Sequence, residues 1–132
     1  MATRTSSLEP HLRSLLRIIA AFTFSLHGWQ KFFGLFGGIG GARPPWTTML
    51  GVAGILETFG GALILLGFFT RPVAFLLSGE MAIGYFRVHA PRSLWPLVNG
   101  GEITVLYCFL FLWLCAAGPG PWSLDKLLRK KN

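Results

Sequence analysis

Apolar and polar positions segregate along this chain on the scale of whole helices. Apolar stretches at residues 12–33, 49–69, 72–88 and 102–117 are separated by short polar, glycine-rich or proline-rich segments. A bilayer core takes roughly 20 residues of apolar helix, and each stretch is near that length. The pattern predicts an all-α fold, a four-helix transmembrane bundle forming one domain over residues 1–132. Residues 118–132 are expected to form an interfacial tail. The second stretch, MLGVAGILETFGGALILLGFF, carries a single charge, Glu57. At about 100° per residue, Ala53, Gly54, Gly60 and Gly61 fall within roughly 60° of Glu57, with Val52, Ile55, Phe59 and Leu66 opposite. Small residues let a neighbouring helix approach closely, so Glu57 is expected to face protein and the large residues lipid. A carboxyl inside a membrane is a functional-site candidate by default. Its competing role is to lock helices together.

The other spans add to this polar set. The first ends in His27-Gly28-Trp29-Gln30-Lys31. His27 and Lys31 are four apart and share a face, and Thr23, Gln30 and Gly34 lie within about 60° of His27. Snorkelling and an aromatic belt account for Lys31 and Trp29, and less well for His27. Pro10 suits a helix start, and the leader before it lacks the pattern of a cleaved signal. On the third span, Pro72 fits the first turn. Glu80 and Arg87 lie about 20° apart on one face and roughly 10.5 Å apart along the axis, a gap that long side chains or a ligand can bridge. His89 projects away from that stripe.

The connections have their own chemistry. Residues 34–48, GLFGGIGGARPPWTT, form a loop expected to be re-entrant or tightly folded, because irregular backbone at membrane depth must be covered by protein. Its GGIGG has neither the preceding strand nor the following Lys-Ser/Thr of a phosphate-binding loop. In the loop at 89–101, Asn99 three residues before Glu102 predicts a capping box; that role weighs at least as much for Glu102 as chemistry does. Cys108 and Cys115 are about 10.5 Å apart along one helix, too far to bridge, and read as packing residues. Beyond Gly118-Pro119-Gly120-Pro121, Ser123 is expected to cap a short surface helix. Trp122, Leu124, Leu127 and Leu128 would lie at the interface, with Arg129, Lys130 and Lys131 among anionic headgroups.

Composition supports lipid as the solvent. Of 132 residues, 52% are hydrophobic and 13% charged, with mean hydropathy +0.55; too few polar residues remain to cover a soluble globule. The net charge of +7 gathers at the ends and in one turn. Such clusters set topology and touch anionic lipid, and without a basic face on a water-soluble fold nucleic acid is set aside as a partner. An even number of spans puts both termini on one side, with Arg4, Arg13, Arg17, Arg71, Lys126, Arg129, Lys130 and Lys131. Lys31, Arg43, Arg87 and Arg92 lie on the other. The positive-inside rule then makes both termini cytoplasmic. His27, Lys31, Glu57, Glu80, Arg87 and Glu102 thereby converge in the outer half. The cytoplasmic half, apart from Thr70 and Arg71 at its surface, is expected to be apolar.

Several short motifs combine into a resemblance. They are His27-Gly28-x-x-Lys31-Phe32-Phe33-Gly34-x-Phe36-Gly37-Gly38, Glu57-x-x-Gly60-Gly61, Gly67-x-x-Thr70-Arg71, Asn99-Gly100-Gly101-Glu102 and Ser123-Leu124-Asp125. Together, over residues 12–128, the chain resembles the DoxX family of small bacterial membrane proteins. The resemblance implies a four-helix protein of the bacterial cell (inner) membrane and a quinone-linked redox context. An extra residue that many relatives carry between the Gly-Gly pair and Glu102 is absent here.

A quinone needs an apolar slot, hydrogen-bond donors at its carbonyls and a proton relay. Glu57, His27 and Lys31 are the catalytic candidates, with Glu57 as proton carrier. His27, Lys31, Glu80, Arg87 and Glu102 are the candidate cofactor-binding residues. No metal site is expected, and haem held by His27 and His89 is disfavoured because His89 borders a loop. The chain has no flavin, nicotinamide or iron–sulfur motif and no Cys-x-x-Cys, so electrons would come through another membrane or redox subunit. A homo-oligomer is an alternative assembly. The competing function is a non-catalytic accessory or assembly subunit of a larger membrane complex.

Overall fold

The computed structural model describes residues 4–130; Lys131, counted above with the basic tail, lies outside them. The described chain is all-helical, in the order α1 Arg4–Phe32, α2 Met49–Leu66, α3 Thr70–Gly84, α4 Pro96–Asn99, α5 Glu102–Ala117 and α6 Leu124–Arg129. α3 continues without a break into a π-helical turn, Tyr85–His89. α2 and α5 coincide with the apolar stretches to within three residues.

α1 starts earlier than expected, so Pro10 lies inside the helix rather than at its start. Proline's φ is already helical and it deletes one backbone hydrogen bond. The Glu9–Arg13 ion pair, at 3.0 Å, spans the same turn. Among the described residues, α2, 18 residues with mean hydropathy 1.9, is the helix both long and apolar enough to cross a membrane. α1 is 29 residues long but carries Arg13 and Arg17 along its length, and α5 is apolar but has only 16 residues.

α1 packs most extensively on α2, and α3 on α5, with α2 against α3 joining the pairs. Phe24 completes the ring, meeting Tyr107 and Phe111 of α5 edge-on at 5.2 and 4.9 Å. The core beneath is Ala21, Ile64, Ala74, Leu77, Met81 and Leu114. Val52, Phe59 and Leu66 face outward, as the α2 pattern requires. On its inner face the glycines admit α1: a Cβ on Gly28 would stand 2.6 Å from the Thr58 backbone nitrogen, and one on Gly54 would stand 2.7 Å from the Lys31 Cβ. Gly28→Val is therefore expected to push the helices apart and abolish a monodisperse peak in mild-detergent size exclusion. Gly79, which faces open space, is the control: Gly79→Ala should be neutral or gain up to about 1 kcal/mol of helix propensity.

The loop at 34–48 is tightly folded. Gly38, at φ 62 and hard against the Ala42 backbone, sits beside a bridge in which the Ile39 N–H donates to Ala42 O at 2.7 Å. Arg43 lies 4.2 Å over the Trp46 ring, which stacks on Phe32, and so pins the loop to the end of α1.

The expected capping box does not form. Gly101 precedes α5, and the Asn99 Oδ1 accepts from the Gly101 N–H at 2.8 Å instead. The positive φ of Gly100 turns Asn99 back into its own loop. There its amide donates to Ser93 O and the Tyr85 hydroxyl.

The opposite end is not apolar, contrary to expectation. Arg17 is fully buried and donates to Pro119 O and Trp122 O, both at 2.6 Å. Arg13 donates to Ala117 O, and Arg71 to Cys115 O and Ala116 O. Arg13 and Arg71 hold carbonyls left free at the end of α5, and Arg17 holds carbonyls of the Gly-Pro turn beyond it, so backbone rather than lipid headgroups takes these groups up. Asp125 accepts from the Phe69 and Thr70 N–H groups at 2.9 and 3.0 Å, capping α3 from a distant part of the chain. Ser123 caps α6 as predicted, accepting from the Lys126 N–H at 3.2 Å.

Candidate functional site

In the half of the bundle away from the termini, each long helix contributes to a cavity of about 70 Å³. α1 supplies Phe24, His27 and Lys31; α2 supplies Glu57; α3 supplies Met81; α5 supplies Ile103, Thr104 and Tyr107. Glu57 is 2% exposed, and both its oxygens accept from the Lys31 Nζ at 2.7 Å. The pairing follows from the α1–α2 crossing. Gly54, one turn before Glu57, lets the Lys31 stem lie on α2, and the ammonium then reaches the carboxylate.

Behind this pair sits Glu80. Both its oxygens are buried and without a hydrogen-bond partner, and the charges nearest to it are Glu57 and Lys31. Two carboxyls thus share one ammonium.

Tyr107 is buried, and its hydroxyl lies 2.8 Å from the Thr23 Oγ1. His27 is exposed and meets the Tyr107 ring edge-on at 6.4 Å. It stands at the rim of the cavity. Thr104 lies 3.4 Å from the His89 Nε2, and the His89 Nδ1 is 3.2 Å from Asn99 O, so His89 is tied into its loop behind the cavity wall.

The structure therefore brings His27, Lys31 and Glu57 around one cavity, with Glu80 directly behind. It leaves Arg87 and Glu102 outside. Arg87 is exposed and lines a separate surface depression with Ala82, Ile83 and Phe86. The expected Glu80–Arg87 stripe fails because the π-helical turn begins at Tyr85, and its wider winding rotates Arg87 off the α-helical projection. Glu102 is exposed at the start of α5. Tyr107 was missed; its signal is a hydroxyl within the otherwise greasy run LYCFLFLWL.

The cavity is several-fold smaller than pockets that enclose a whole organic ligand, about 300–1,000 Å³. It has room for several waters or for the polar edge of a ring. In and behind its walls, two buried carboxyls and one ammonium come to the same place.

Comparison with known proteins identifies the family. The DoxX family profile matches residues 12–90. A Haemophilus influenzae relative, described as an uncharacterized protein, is 42% identical over 130 residues, covering 93% of this chain and 95% of its own. The Escherichia coli inner membrane protein YqjF is 32% identical over 87% of this chain and 90% of its own length. A second Escherichia coli protein, inner membrane protein YphA, is 31% identical over 89% and 91%. No solved structure matches the chain significantly. The profile match and the near full-length relatives converge: this chain belongs to the DoxX family and is an integral protein of the bacterial inner membrane.

Proposed function

We propose that the protein serves a quinone-linked redox system of the inner membrane, with the Lys31–Glu57–Glu80 cluster exchanging the protons that accompany quinone chemistry. The observation that carries this reading is the second buried carboxyl beside an already complete ion pair. A purely structural lock needs one carboxyl; a proton store needs an excess. In this reading α1, α2, α3 and α5 all cross the membrane, both termini are cytoplasmic, and the cluster lies in the outer half. Reduction of a quinone to a quinol consumes two electrons and two protons. A redox centre on a partner subunit supplies the electrons, and the cluster passes protons to the ring oxygens. The cavity takes one oxygen edge of the ring, past His27, while the ring and its tail lie in the α1–α5 seam against Ile103 and Leu106. Glu102 and Arg87 have no part in it.

The test is mild-detergent purification with native and lipid mass spectrometry on the same sample. The wild type should carry quinone at near one per chain, and Glu57→Gln should lose it by tenfold or more. Equal and trace quinone in both proteins would rule the reading out. The small cavity and the saturated Lys31–Glu57 pair favour one other reading, an accessory subunit in which the cluster only fixes helix positions. That reading predicts that Glu57→Gln lowers the amount of assembled complex while leaving turnover per complex unchanged.

A further inference from the structure

We infer that Arg87 and the apolar surface beside it form a site for one anionic phospholipid of the leaflet that lies away from the termini. The inference uses the placement of α3 across the membrane and none of the quinone chemistry. It begins with the contrast between two arginines, one at each end of α3 and its π-helical turn. Arg71, at the end near the termini, is spent on Cys115 O and Ala116 O. Arg87 is exposed and, among the described residues, forms no ion pair and no side-chain hydrogen bond. The step from Arg71 to Arg87 is roughly 24 Å of helix, close to the thickness of a bilayer core, so Arg87 stands at headgroup depth.

An unpaired guanidinium takes an anion, and the described residues offer it none. Of the five acidic residues, Glu57 and the oxygens of Glu80 are buried, Glu9 pairs with Arg13, and Asp125 caps α3. Glu102 is exposed at the start of α5 and forms no ion pair with Arg87. The surface beside the guanidinium is apolar. Arg87 borders a depression of about 460 Å³ with Ala82, Ile83 and Phe86, and Ile83 and Phe86 are 59% and 67% exposed. One turn back along α3, a Cβ on Gly79 would meet nothing within 4 Å, so the surface continues as a trough towards the exposed Phe75. Phe75, Gly79 and Ala82 share a helix face, and Phe75 to Arg87 spans roughly 18 Å, about the depth of one leaflet. A cation above an apolar trough one leaflet deep matches a phospholipid part for part, phosphate at the arginine and acyl chain along the helix. The planar guanidinium suits a phosphate, which it holds with two N–H groups at once.

The experiment is native mass spectrometry of protein released from nanodiscs of phosphatidylethanolamine with phosphatidylglycerol as the minor lipid. The wild type should retain phosphatidylglycerol at near one per chain, in preference to phosphatidylethanolamine. Arg87→Gln should lower that retention about tenfold, the worth of a hydrogen bond to a charged group, and Arg87→Lys should keep part of it. Gly79→Leu, which fills the trough and leaves the charge in place, should lower it as well. Arg92→Gln removes another exposed arginine of the same end and should change nothing. Retention unchanged in Arg87→Gln overturns the inference, and so does an equal loss in Arg92→Gln, which marks a general basic surface. A dimer that Arg87→Gln splits while no lipid is retained also overturns it, by giving Arg87 to Glu102 of a second copy. Quinone is read in the same spectra: its absence from every sample sinks the proposed function, while the phosphatidylglycerol count alone decides this inference.

Discussion

Lys31→Met is expected to destabilise the protein by about 3–5 kcal/mol, the cost of stranding a buried charge without its partner. Glu57 is almost wholly buried, and Lys31 is the hydrogen-bonding partner of both its oxygens. Glu80 places a second buried carboxyl beside it. Methionine keeps the aliphatic stem of Lys31 that packs on Gly54, so the loss reports the ammonium rather than the packing. The measurement is reversible unfolding in mild detergent. The double variant Lys31→Met, Glu57→Leu should recover most of the loss, because an apolar pair of similar volume is commonly as stable as a buried ion pair. A single variant within about 1 kcal/mol of wild type, the range of a surface pair, would show that the Lys31–Glu57 bond does not hold the bundle together.

Arg17→Met should be comparably severe at the other end. One guanidinium fork bridges Pro119 O and Trp122 O, and bonds from a charged donor are worth about 1.5–3 kcal/mol each. Trp122 O would be left without its donor, and Pro119 O with only the long 3.4 Å contact from the Ser14 hydroxyl. Arg17→Lys should recover only part of the loss, since an ammonium lacks the planar fork that reaches two acceptors at once. A second readout separates local from global damage. Limited trypsin digestion should cut at Lys126 or Arg129 several-fold faster in Arg17→Met than in wild type, while the Lys31–Glu57 end stays protected. Unchanged cleavage would mean that the tail is held without Arg17.

Much of this could be read from the chain itself, and the exceptions have physical causes. The face of α2 was legible because Glu57, Gly54 and Gly61 fall together at helical spacing, and they do meet α1. Lys31 was legible as a member of the site, but not as the direct partner of Glu57, since spacing within one helix says nothing about its angle to another. Arg87 was misplaced because a π-helical turn leaves no trace in an apolar pattern. Asn99 was misread because a left-handed Gly100 diverts a side chain that would otherwise cap. The largest omission was the polar end formed by Arg13, Arg17, Arg71 and Asp125. Their partners are mostly backbone atoms distant in sequence, and backbone acceptors have no signature in a list of side chains. The motifs Gly67-x-x-Thr70-Arg71 and Ser123-Leu124-Asp125 did mark both sides of that contact without showing that they touch.

The reach of that contact along the chain orders events at the ribosome. The Thr70 N–H must wait for an acceptor 55 residues downstream, and Arg17 for carbonyls 102 and 105 residues downstream. At about 5–20 residues per second, α3 is made several seconds before anything exists to cap it. Lys31 and Glu57, only 26 residues apart, can pair long before then. The nascent protein therefore closes at one end first and remains unlatched at the other until residues 119–125 have been made. A stop codon just ahead of Ser123 would release a chain whose every long helix is complete and whose closing step never comes.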